Sequence, residues 1–111
     1  MAVLFIDPGE LRAELALEAC TAAPDGLGGF TETWVETATL FARIEPVSAD
    51  SAFGADQTLE SVSHRITLRY RAGVASGMRF TRKGRVFDIL TAHDPDESGR
   101  YLVCKVRERG A

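Results

Sequence analysis

Hydrophobic and polar side chains alternate along most of the chain, and an alternation with a period of two predicts β-strands. The clearest case is residues 62–71, where apolar or aromatic side chains and His64 occupy the even positions, and serine, threonine or arginine the odd ones. Turns that contain glycine or proline separate the alternating segments. Further strands are predicted over residues 34–44, 78–82, 86–91 and 101–106.

The segment 10–20 carries two patterns at once. Its alanine, leucine and glutamate residues favour a helix, on which Leu11, Leu15 and Ala19 would share one face. Leu15, Leu17 and Ala19 also alternate as they would in a strand. Composition alone favours the helix.

The predicted strand 34–44 has apolar side chains on both faces. Val35 and Phe41 lie on one of them. A strand of this kind is expected to make contacts on both sides. The opposite face is predicted to carry Trp34, Ala38, Leu40, Ala42 and Ile44.

Two segments are predicted to be connections. Residues 23–29 are rich in glycine and are expected to form a loop. Residues 46–61 are mostly small or polar, with few candidates for a core. So long a connection in so small a domain is most often functional or mobile. The whole pattern predicts a mainly β fold, either a small antiparallel barrel or a sandwich.

Length and composition restrict the class of protein. A chain of 111 residues that is 45% hydrophobic predicts one globular domain over residues 1–111. No stretch approaches the roughly 20 consecutive apolar residues that a bilayer requires, and no membrane partner is expected. The apolar start of the chain is too short for a secretory signal. The formal charge of −3 lacks the basic excess that is typical of a free-standing nucleic-acid binder.

The few residues suited to chemistry do not form a recognisable site. His64 is expected to be a hydrogen-bonded core or edge histidine, and His93 a solvated one. No nucleophile–base pair or set of metal ligands is apparent, so neither an enzyme nor a cofactor is predicted. Cys20 and Cys104 stand in apolar runs and are expected to be small buried side chains, a single disulfide between them being the alternative.

Three arginines, Arg65, Arg69 and Arg71, form a basic row on one face of the strand 62–71. The row is either a solvated outer face or an intermolecular surface, since arginine is enriched where proteins meet. A third interpretation is a small OB-like barrel that binds single-stranded nucleic acid. Tyr70 is expected to point to the opposite face, so aromatic side chains do not interleave with the basic row.

An ordered set of motifs, spread over about residues 9–108, resembles the phage head–tail joining family. These small connector proteins are called adaptors, stoppers or head-completion proteins, and gene transfer agents carry members too. The motifs are GELR (9–12), DGLGGFTETW (25–34), FARIEP (41–46), HRITLRYR (64–71), MRF (78–80) and GRVFDI (84–89).

The resemblance implies an antiparallel β-barrel of about six strands, with a strand rather than a helix over residues 12–19 and one long loop after the second strand. Copies of the chain would form a ring, typically of about twelve, between the portal or adaptor ring and the tail terminator or tail tube. Packaged double-stranded DNA would pass through its channel. The protein would belong to the virion or phage-like particle, after assembly in the host cytoplasm. A β-rich chain favours the stopper position over the adaptor position.

Two sets of residues follow from that role. The long loop, residues 46–61, would face the channel, and its candidate residues are Ser48, Asp50, Phe53, Asp56 and Gln57. The ring interface would use the two-faced strand together with the arginine row and its neighbouring carboxylates. Its candidate residues are Trp34, Glu36, Arg43, Glu45, Arg65, Arg69 and Arg71.

Overall fold

The computed structural model describes residues 8–47 and 62–109, and in these ranges the fold is built almost entirely from β-strands. No helix in these ranges is long and apolar enough to span a membrane. The elements are the 3₁₀ helix Pro8–Glu10, β1 (Ala13–Pro24), β2 (Phe30–Pro46), β3 (His64–Arg69), β4 (Arg79–Arg82), β5 (Arg85–His93) and β6 (Tyr101–Glu108).

The strands form one antiparallel sheet that closes on itself in the order β1-β2-β3-β6-β5-β4. Closure is made by β1, which pairs with β2 on one side and with β4 on the other. The predicted mainly β, six-stranded barrel is therefore confirmed. The closed barrel has no edge strand, whereas the parts of β1 and β2 that extend beyond it pair only with each other.

The barrel interior holds a single hydrophobic core. Each strand contributes alternate side chains, as the period of two predicts. Phe80 and Phe87 are fully buried and supply the largest side chains. The other buried members are Leu15, Leu17, Leu40, Ala42, Ile66, Leu68, Ile89, Leu102, Cys104 and Val106.

The segment 10–20 follows the strand pattern and not the helical one. Leu15 and Leu17 are both buried in the barrel. Residues two apart lie on the same face of a strand but on different faces of a helix. β1 also continues through Pro24, beyond the point where the loop was expected to begin. Past Glu18 this strand has a partner on one side only, the setting in which a strand tolerates proline.

A β-bulge in β2 corrects the predicted faces of that strand. Leu17 pairs with Ala38, but the next residue, Glu18, pairs with Glu36, so Thr37 is the extra residue. The Thr37 hydroxyl donates a hydrogen bond to the Leu17 carbonyl (3.2 Å). An extra residue reverses the alternation beyond it.

As a result, Trp34 lies on the opposite side of the sheet from Leu40, not on the same face as expected. Ala38, Leu40, Ala42 and Ile44 do face the core. Phe41, on the opposite face, is about half exposed, so the predicted contact on that face is not made at Phe41 within the described chain. Val35 is also about half exposed, but the bulge places it on the same side of the sheet as Leu40, beyond the core.

The far ends of β1 and β2 project from the barrel as a two-stranded arm, defined here as residues 19–36. Beyond Glu18, β1 pairs only with β2. Six more pairs, Ala19 to Pro24, extend the ribbon by roughly 20 Å at about 3.3 Å per residue. The molecule accordingly measures 53 × 29 × 27 Å. Cys20 lies on this arm and is exposed, so the prediction that it is buried is wrong, while Cys104 is buried as expected; both thiols are free.

The long connection after the second strand lies where it was predicted, between Pro46 and His64. Its two ends are adjacent, because the Val47 amide donates a hydrogen bond to the Ser63 carbonyl (2.9 Å). The candidate channel-facing residues lie outside the described residues. They are Ser48, Asp50, Phe53, Asp56 and Gln57.

Candidate interaction surfaces

A network of ion pairs covers the outer face of β2 and β3. Arg43 contacts Glu10 (Nη1–Oε2, 2.8 Å) and Glu45 (Nη2–Oε2, 3.3 Å), and Arg65 contacts the other Glu45 oxygen (3.4 Å). Glu45 and Arg65 are cross-strand partners, which brings their side chains together. Such exposed pairs contribute at most about 1 kcal/mol each. Three of the predicted interface charges are thus paired inside the chain.

Arg69 and Arg71 differ from this network, since neither has an ion-pair partner among the described residues. Both are exposed, and they line a groove of about 420 Å³ at the end of β3. We call it the arginine groove. Its remaining wall is apolar or aromatic and consists of Pro8, Leu11, Leu40, Phe41, Leu68 and Tyr70.

Tyr70 lines the same groove as Arg69 and Arg71. β3 ends at Arg69, so strand alternation no longer dictates the direction of the next side chain. Phe41 and Tyr70 remain about half exposed. The groove therefore combines unpaired positive charge with accessible aromatic surface.

Trp34 fixes the base of the arm against the barrel. The Arg79 guanidinium lies 4.1 Å from the centre of the Trp34 ring, a cation–π distance. Arg79 also forms a 2.7 Å ion pair with Glu18. Arg109, held by Asp88 at 2.6 Å, approaches the same ring at 6.0 Å. The arm thus has a defined direction at its base.

Glu36, the remaining predicted interface residue, lies close to this base. It is exposed, and its carboxylate accepts a hydrogen bond from the Thr39 hydroxyl (3.0 Å). Among the described residues it has no ion-pair partner.

The tip of the arm is a tight loop organised by Asp25. Its carboxylate accepts hydrogen bonds from the backbone amides of Leu27 (2.7 Å) and Gly29 (3.1 Å), and these bonds lower the pKa of Asp25. Two large apolar side chains at the tip of the arm, one in the loop and one at the start of β2, are exposed to solvent. Leu27 is 90% exposed and Phe30 is 72% exposed.

A cluster around His64 closes the barrel where the long connection returns. The Glu108 amide donates to the Ser63 hydroxyl oxygen (2.7 Å), which lies 2.9 Å from His64 Nδ1. Arg85 forms two hydrogen bonds with the Glu108 carboxylate (2.8 and 3.1 Å) and lowers its pKa. Burial lowers the pKa of His64. The cluster joins the start of β3 to the end of β6. His64 is hydrogen-bonded and half-buried there, between two paired neighbouring strands.

Residues 8–47 and 62–109 contain no candidate metal site, because no three His, Cys, Asp or Glu side chains in these ranges are placed to hold an ion together. The exposed features are instead the arginine groove and the arm tip. Sequence reasoning identified the arginines but missed Leu27 and Phe30. The sequence does contain a pattern that indicates an exposed hairpin tip of this kind. The glycine-rich turn is flanked by two β-rich segments, and no lysine or arginine occurs between Arg12 and Arg43.

Comparisons with known proteins agree with one another. The sequence model of a family described as phage head completion protein matches residues 6–109. Protein SF1141 from Shigella flexneri 2a, a solution structure, is 28% identical with a TM-score of 0.73, over 95% of this chain and 98% of that one. A chain from the virion of a native gene transfer agent particle is 26% identical with a TM-score of 0.67, over 91% and 97%. No curated protein matches the sequence.

Proposed function

This chain belongs to the phage head completion protein family, and from that premise we propose that it is the stopper-type head–tail connector of a tailed phage or gene transfer agent. Membership makes it a structural component of a phage-type particle. The observation that carries the proposal is the likeness to a chain of a gene transfer agent virion over nearly the full length of both. In this role the protein is not an enzyme.

Copies of the chain close into a ring of about twelve, in which each subunit presents two different surfaces to its neighbours. The closed sheet leaves no barrel edge for strand addition, so side chains on outer faces and the arm must make the contacts. Arg69 and Arg71 are the predicted interface residues best suited to a neighbour, because their charges have no ion-pair partner among the described residues. The others are Trp34, Glu36, Arg43, Glu45 and Arg65.

The ring lies between the portal or adaptor ring and the tail terminator or tail tube, and double-stranded DNA passes through it. The loop after β2 faces the channel and gates it through Ser48, Asp50, Phe53, Asp56 and Gln57. A formal charge of −3 suits a conduit, because a basic lumen would retain the duplex through counterion release. The protein assembles in the host cytoplasm and resides at the particle neck.

The position at the neck is tested by electron microscopy of intact particles that contain the chain. We expect a ring of density of this fold on the particle axis between portal and tail. Density for the subunit scattered over the shell would contradict the proposal.

The interface is tested by Arg69→Glu, which reverses a charge in the arginine groove. We expect the fraction of particles with attached tails to fall at least tenfold, because a like-charge contact replaces an attractive one. The matched control is Arg107→Glu at an exposed arginine of β6. Normal tail attachment with Arg69→Glu would contradict an interface at this arginine.

A second candidate function is binding of single-stranded nucleic acid in the arginine groove. It is favoured by the position of Phe41 and Tyr70 beside Arg69 and Arg71, since stacked bases and neutralised phosphates drive such binding. Tight, salt-sensitive binding of an oligonucleotide that Tyr70→Ala weakens at least tenfold would support it. Family membership favours the connector.

A further inference from the structure

The arm and the arginine groove are complementary surfaces on one chain, and we propose that the arm tip of each copy occupies the arginine groove of the next copy around the ring. This inference rests on the proposed function, because it names the contact that closes the ring. The occupant is a second copy of this chain.

Both surfaces expose apolar side chains that association would remove from water. On the arm these are Leu27 and Phe30, at 90% and 72% exposure. In the groove they are Phe41 and Tyr70, at 57% and 48%. Large exposed apolar groups gathered in a small area mark a contact surface, and aromatic anchors in a pocket are the usual centre of one.

Charge is complementary as well. The arm carries Asp25, Glu32 and Glu36 and no lysine or arginine, whereas the groove carries Arg69 and Arg71. The amide hydrogen bonds at Asp25 lower its pKa, so the tip stays negatively charged at neutral pH. Such complementarity fixes register and partner more than it adds affinity.

The placement of the two surfaces requires contact between different copies. The groove lies at the start of β1, beside Leu11, while the tip lies at its end, beyond Pro24. Roughly 36 Å of strand separates Ala13 from Pro24 at about 3.3 Å per residue. A chain's own arm thus points away from its own groove, and a contact between unlike surfaces propagates head to tail, as a ring requires.

The dimensions fit a neighbouring subunit. The arm extends about 20 Å past its own barrel, and the narrower dimensions of the molecule are 29 and 27 Å. An arm of this length crosses most of an adjacent barrel. Because Trp34, Arg79 and Glu18 hold its base, the arm already projects in a defined direction before it docks.

The test is disulfide cross-linking inside assembled particles. One chain carries Leu27→Cys and Tyr70→Cys in a Cys20→Ser background, and the buried Cys104 is left in place. Because the two new thiols are far apart within one chain, oxidation joins different copies. We expect a ladder of covalent oligomers on a non-reducing gel. The control replaces Tyr70→Cys with Thr91→Cys, at an exposed position of β5, and should give no ladder.

The outcomes separate this inference from the proposed function. A normal number of subunits at the neck without a ladder overturns the arm contact and leaves the connector function intact. Cross-linking of the groove to another particle component, or to nucleic acid through a photoreactive group at Tyr70, also overturns it. Absence of the wild-type chain from the neck overturns the proposed function and the inference together.

A second pair of variants measures the contact without new thiols. Leu27→Ser with Phe30→Ser should reduce subunit incorporation at least tenfold while the fold is kept, because both side chains are exposed. Val35→Ser, also on the arm and about half exposed, is the matched control and should incorporate normally. Normal incorporation of the double variant would overturn the proposal.

Discussion

At the residue scale, the two cysteines occupy opposite environments although both stand in apolar stretches of sequence. Cys104 points into the barrel and is fully buried, and desolvation raises its pKa to about 12. Cys20 pairs with Trp34 on the arm, which has no interior, and is exposed. The sequence context is similar, but only one of the two strand positions faces a core.

The thiols should therefore differ in reactivity. Reaction requires the thiolate, and raising the pKa of Cys104 from 9.0 to about 12 lowers its thiolate fraction at pH 8 on the order of a thousandfold. We expect one thiol to react rapidly with a chromogenic disulfide reagent in the native protein and two in denaturant. Cys20→Ser should abolish the rapid reaction. Two rapidly reacting thiols in the native wild type would contradict the burial of Cys104.

At the element scale, short irregularities decide where strands point and where they turn. The extra residue Thr37 reverses the faces of β2 and places Trp34 beside Arg79. Between β4 and β5 the two-residue turn Lys83–Gly84 has positive φ at both positions, 49° and 83°. This is the turn geometry that matches the twist of a tight hairpin.

Substitutions in that turn should change stability through the backbone alone. A Cβ at Gly84 would contact nothing within 4 Å, so Gly84→Ala bears only the cost of the left-handed conformation, about 1 kcal/mol. We expect its urea unfolding midpoint to fall accordingly. Lys83→Asn, which favours this conformation, should leave the midpoint unchanged or raise it. An unchanged midpoint for Gly84→Ala would refute the turn assignment.

At the scale of the whole molecule, a closed barrel and a free arm are joined through two continuous strands. The barrel strands have partners on both sides and bury the core. The arm has one pairing interface and exposes Leu27, Phe30 and Val35. A two-stranded ribbon is marginally stable in isolation, so the contacts of Trp34 at its base and any docking partner determine its order.

Amide hydrogen exchange should distinguish these two parts. We expect amides between Thr21 and Thr33 to exchange at least tenfold faster than those of β3 and β6, because local opening of the arm exposes no core. Trp34→Ala should accelerate exchange in the arm while leaving β6 unchanged. Equal protection of arm and barrel in the free subunit would show that the arm is stabilised by contacts other than those at Trp34.

Family membership and most strand positions were available from the sequence. Alternation predicted β3, β4, β5 and β6 to within a few residues, and the ordered motifs identified the family that the family model confirms. Composition was misleading at Leu15 and Leu17. The free-energy preference of this segment for a helix is smaller than the free energy gained when both leucines are buried in the barrel. The resemblance corrected that segment before the structure did.

The sequence by itself determined that this protein is a β-rich member of a particle-forming family. The strands could be predicted because the alternation and the turn residues that indicate each strand lie within that strand and beside it, and the ordered motifs indicated the family. Only the tertiary structure decided which strands pair, that β1 closes the sheet against β4, and that Trp34 leaves the core face. It also decided that Arg43 and Arg65 have carboxylate partners whereas Arg69 lines an open groove. These outcomes depend on register between strands distant in sequence, and a one-residue shift in register reverses every face.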